Sequence, residues 1–223
     1  MRTVLVLLAL GLAGTPLHAD EKCSGEVAAA FLKQQDKPKL RTIMTNPIDT
    51  AIVERTLDLV RPDRLHSRVV SSGDKGYVET VVVQKWAWMN SGAGWEEVKP
   101  NVAGAMSRDV AEMAAPQKVT ANFSCLGKVA YEGKEYLGFR ADPGKGDDGV
   151  ELAATVYVDA ASGLPAANVV APTSGDGAFR FKAHYSYDDG ITVEAPVEMP
   201  SAAASAPASA PVLAPENAAP EKK

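Results

Sequence analysis

Between Thr50 and Val98 the chain alternates short apolar runs with polar breaks about every eight to twelve residues. Runs rich in Val, Leu, Thr and Trp are interrupted at Arg61-Pro62-Asp63, Ser72-Gly73-Asp74 and Ser91-Gly92-Ala93-Gly94. The pattern predicts antiparallel strands near 39–45, 50–60, 64–71, 77–83 and 86–90. Only Gln84-Lys85 separates the last two. A tight turn there pairs Val83 with Trp86 and Val81 with Trp88 on one strongly apolar face. Thr80, Val82, Ala87 and Met89 occupy the other.

Two segments break the period of two. Ser24 is a plausible cap for a helix through Gln35, with Val27, Ala30, Phe31 and Gln34 on one side. Val102, Met106, Val110 and Met113 recur at helical spacing over 101–114, with Asn101 as cap and Pro116 as stop. Strands resume near 117–125, 127–132, 135–142, 155–159, 166–170 and 178–187, and a last one covers Ile191–Glu194. About ten strands and two helices in this order predict an α+β domain.

Several motifs in series resemble the LolA-like periplasmic lipoprotein-carrier superfamily. They are Arg61-Pro62-Asp63-Arg64 between two strands, the Glu79–Val83 strand leading into Trp86-Ala87-Trp88-Met89, and Trp95 after a glycine turn. Thr155–Pro165 and Tyr185–Pro196 complete the set. The resemblance spans about residues 26–196 and departs at the hairpin turn, where Gln84-Lys85 replaces an expected glycine. It implies an incompletely closed antiparallel half-barrel, with two or more helices covering the concave face. It also implies a hydrophobic ligand between sheet and helices.

The ends of the chain add a compartment. Arg2, the apolar stretch Val4–Ala13 and Leu17-His18-Ala19 read as a cleaved signal over 1–19. Its apolar run of about ten residues is half of what spans a bilayer. The expected domain is 20–199, followed by an Ala/Pro/Ser-rich tail over 200–223 that lacks the apolar residues to offset ordering. The sequence holds 23 Lys+Arg against 28 Asp+Glu, net −5, and loss of Arg2 makes it −6. This balance, without basic clusters, argues against nucleic acid, and no segment predicts stable membrane insertion. The location expected is the periplasm, reached across the inner membrane of a Gram-negative bacterium. Its two cysteines, Cys23 and Cys125, suit a disulfide in an oxidising compartment, two separate buried thiols being the alternative.

Candidate chemistry is sparse. His66 and His184 lack metal-ligand spacing, and Asp142, Asp147, Asp148 and Glu151, which could surround a calcium ion, fit no EF-hand and read as a solvated loop. Asp63 and His66 have no nucleophile motif near them, so no catalytic residue, metal or cofactor is expected. The expected function is non-enzymatic binding of a lipid, an acyl chain or a lipoprotein. An envelope protein–protein or stress-sensing module is the alternative. Candidate groove residues are Leu57, Leu59, Val81, Val83, Trp86, Trp88, Met106, Val110 and Met113. The tryptophans serve equally well as lining or as plain core.

Overall fold

The computed structural model describes residues 20–74, 76–116, 118–175 and 178–197. The expected signal 1–19 and tail 200–223 lie outside the described residues. Helix α1 (Glu21–Gln35) is followed by β1 (Lys39–Ile48), β2 (Ala51–Val60), β3 (Arg64–Ser71), β4 (Tyr77–Val83), β5 (Trp86–Asn90) and the short β6 (Glu96–Glu97). Helix α2 (Pro100–Ala114) then leads to β7 (Phe123–Tyr131), β8 (Lys134–Ala141), the two-residue β9 (Gly144–Lys145), β10 (Glu151–Val158), β11 (Pro165–Pro172) and β12 (Phe181–Ser186). The expected α+β class and the unclosed antiparallel half-barrel are what the structure has.

All strands join one sheet in the order β6-β5-β4-β3-β2-β1-β12-β11-β10-β8-β7, with β9 on β10. The first and last strands meet in the middle, from Arg41 opposite Ser186 to Thr45 opposite Lys182. The sheet is left open between β6 and β7, and α2 lies in the connection that joins those two edges.

Both helices pack on one face. Val27 and Ala30 of α1 bury against Phe139, Val156 and Val158, while Ala103 and Val110 of α2 bury against Leu59, Leu65, Val82 and Ala87. Phe31 of α1 meets Tyr185 edge-on at 6.3 Å, linking the two clusters. The opposite, outer face carries a third cluster. There Val81, Val83 and Trp88 lie under Val193, with Trp95 and Ala195 beside them.

Both expected caps need correction. α1 starts three residues before Ser24, capped by Asp20, whose carboxylate accepts from Lys22 N at 2.9 Å. Ser24 instead accepts the Phe123 amide through Oγ at 2.8 Å, satisfying an edge group of β7. α2 begins at Pro100, whose missing N–H costs nothing in the first turn, and no side chain caps it. Ile191–Glu194 is not a strand. It is an unpaired extended strap, held by Arg64 Nη1 donating to Val193 O at 3.1 Å. The two strands expected over 117–132 are one, β7, with a register shift between Cys125 and Gly127.

Gln84 does take the left-handed backbone that the tight turn requires, with φ of 56°. Cys23 and Cys125 are bonded, which removes the two-thiol alternative and ties α1 to β7 across 102 residues. Loop-closure entropy for about 100 residues sets the scale of this bridge at up to about 4.7 kcal/mol. Replacing both cysteines with serine is expected to lower stability by about 2–5 kcal/mol, read as a shift of the urea midpoint. An unchanged midpoint would show that packing alone holds α1 in place.

Burial pushes the Tyr185 hydroxyl up to about 12, so the folded state keeps its proton where an unfolded tyrosine, near 10, has lost it. A folded-state value above the unfolded one means stability fully present below about pH 10 and lost as pH rises toward 12. Denaturant unfolding at pH 9 and pH 11.5 is expected to show this loss, with Tyr185→Phe losing about 1–2 kcal/mol less than the parent. Equal losses in both proteins would assign the alkaline sensitivity to other groups.

Candidate ligand groove

The register of β1 to β5 stacks the side chains of the helix face into rows. The lowest row runs Leu40, Leu59, Leu65, Val82, Ala87, every member buried. Ala103 and Val110 of α2 close directly onto it. Ser107 Oγ donates to the carbonyl of Gln84 in the β4–β5 turn at 2.6 Å, anchoring the helix over this end.

The next row is Thr42, Leu57, Ser67, Thr80, Met89, and the one after it Met44, Arg55, Val69, Val78. Ser67 and Thr80 are too small to reach α2, so the space between helix and sheet stays open. The result is a groove of about 300 Å³. Leu57, Leu65, Val69, Val78 and Val82 form its sheet wall, and Met106, Val110 and Met113 form its helix wall. Val78 and Met113 leave apolar surface open to solvent, each 40 % exposed. Mostly apolar lining with few polar groups is the usual chemistry of a hydrophobic-ligand site. Its charged members are Arg55 on β2 and Asp109 on α2.

Of the residues expected from sequence, Leu57, Met106, Val110 and Met113 come together at this groove, and Leu59 lies in the sealed row beneath it. Val81, Val83, Trp86 and Trp88 do share one face and pair as expected, but that face is the outer one. Trp88 is fully buried there, and the strap through Val193 covers the cluster. Their place in the groove belongs to Thr80 and Val82, which the alternation had set on the opposite face. Val102, in the first turn of α2, is not among the groove's lining residues and is 43 % exposed. Arg55, Leu65, Ser67, Val69, Val78 and Asp109 were missed. Asp109 was readable, since it falls three residues after Met106 and four before Met113, on one helix face.

Other candidate groups serve local structure. Asp148 pairs with Arg180 at 2.7 Å, and Glu151 accepts from Thr173 Oγ1 at 2.8 Å. His66 lies on the outer face 3.9 Å from Glu79. His184 lies 3.3 Å from Glu132 and 3.0 Å from the Tyr131 hydroxyl.

No protein-family model matches the chain, and no curated protein is detectably similar in sequence. Solved structures do match. Lipoprotein LppX of Mycobacterium tuberculosis aligns over 79 % of this chain and all of its own, with TM-score 0.52 and 14 % identity. LprF of Mycobacterium bovis covers 81 % of this chain and 99 % of its own, with TM-score 0.51 and 12 % identity. At such identities the likeness is one of backbone architecture. The open twelve-stranded sheet with both helices on one face, its end strands paired at the centre, is the LolA-like fold.

Proposed function

We propose that this chain is a non-enzymatic binding protein of the cell envelope that holds an acyl chain or a similar hydrophobic ligand between α2 and the β2–β4 wall. The supporting observation is the groove itself. An amphipathic helix seals one end of the apolar sheet face with Ala103 and Val110, yet leaves apolar surface of Val78 and Met113 facing solvent. Exposed, contiguous apolar surface of this kind marks a binding site more often than an accident of packing. Met106 and Met113 are flexible and polarizable, which suits chains of variable shape. Export to the periplasm after cleavage of residues 1–19 agrees with the Cys23–Cys125 bond, since disulfides persist in oxidising compartments.

Native mass spectrometry of protein purified from its own host is expected to show a lipid-sized adduct. A clean apo mass together with a co-purifying protein would favour the interaction-module alternative. A second measurement addresses the groove directly. Met106→Glu places a carboxylate on its helix wall and is expected to weaken binding of a hydrophobic fluorescent dye about tenfold or more. Val102→Glu, on the same helix but away from the groove, is expected to change it by less than about twofold. If folded Met106→Glu binds dye like the parent, the ligand does not sit here.

A further inference from the structure

The rows of the groove grade from a sealed apolar floor to a charged mouth, and that order carries information about the ligand. Leu57 belongs to the half-open second row. One row further out, the same strand presents Arg55, with Met44 and Val69 as its lateral neighbours. Asp109 faces the groove from the helix wall. Neither charge takes part in an ion pair or a side-chain hydrogen bond among the described residues. They do not reach each other, although they line one cleft.

A cation and an anion on opposite walls of one apolar slot, neither with a side-chain partner among the described residues, complement a headgroup carrying both signs. A purely anionic headgroup would satisfy Arg55 but meet repulsion from Asp109, and a neutral one would leave both solvated. We propose that the groove takes a zwitterionic amphiphile, with one acyl chain along Leu57 and Val82, its phosphate on Arg55 and its ammonium on Asp109. This inference rests on the acyl-chain reading of the groove. The guanidinium matches phosphate through paired N–H donors, and the carboxylate accepts from an ammonium.

Displacement of a groove-bound dye from the protein expressed from its full-length sequence tests both levels separately. The competitors are lysophosphatidylethanolamine, lysophosphatidylglycerol and monoacylglycerol of one chain length. The zwitterion is expected to bind about threefold to tenfold more tightly than either of the others, the scale of two solvent-accessible charge contacts. Arg55→Gln is expected to bring the zwitterion level with monoacylglycerol. Asp109→Asn should bring it level with lysophosphatidylglycerol. Both positions are exposed, so both variants are expected to retain the fold, with circular dichroism as the check. Competition by all three lipids within about twofold would overturn the headgroup assignment and leave the acyl groove standing. Selectivity that survives both substitutions would overturn it as well. No displacement by any lipid would overturn the groove reading and this inference together.

Discussion

The pairing of β1 with β12 is the contact on which the rest of the architecture depends. Five residues of β1, Arg41–Thr45, lie opposite Lys182–Ser186 of β12, about 140 positions away in sequence. That seam fuses two meanders into one sheet and puts their free ends, β6 and β7, at opposite edges. The chain must then pass from one edge to the other, and the 98–122 segment does so with α2 lying on the sheet. A helix that owes its position to chain connectivity can cover an apolar face without being fitted to all of it. Such long-range pairing is costly in loop entropy, so the meanders, which form locally, are the natural precursors of the seam. The Cys23–Cys125 bond acts at the far edge, fixing α1 to β7.

Alternation made the strands legible, and the two-residue turn made their pairing legible. Val81 opposite Trp88 and Val83 opposite Trp86 followed from Gln84-Lys85 alone, even without the glycine that would ease its φ of 56°. Parity does not say which face is inside. In a sheet covered on one side only, the apolar parity marks the covered face. Here the strap through Ile191 and Val193 covers the outer face as well, and both residues are buried. Two tryptophans therefore gave that face the stronger apolar signal, while the helix face was written in smaller letters: Thr80, Val82, Ala87. The strap itself was misread as a strand because an extended apolar run looks the same whether or not its N–H groups find a ladder.

The helix ends illustrate a similar limit. Ser24 had the chemistry of a cap, but Asp20 lay nearer the true start, and the serine hydroxyl was recruited by the Phe123 amide 99 residues away. Tertiary partners of that kind leave no local trace. By contrast, the α2 stripe survived almost intact, because Met106, Val110 and Met113 obey the helical period whatever lies beneath them. Only Val102, in the first turn of the helix, lies outside the groove lining.

The groove follows from a mismatch between two rows that are adjacent on the same strands. The row containing Leu59, Leu65 and Val82 reaches α2 and excludes space. The row containing Leu57, Ser67 and Thr80 sits one pleat further out, and its two small hydroxyl side chains stop short. Larger aliphatic residues at those two positions would let the helix close against the second row as it does against the first, and would add apolar burial at roughly 25 cal/mol per Å². The fold forgoes that contribution and keeps solvent-facing Val78 and Met113 in its place. The sealed row provides the stability that fixes α2, and the unfilled row above it provides the volume. A single helix packed on a single sheet face thus serves as core at one end and as binding site at the other.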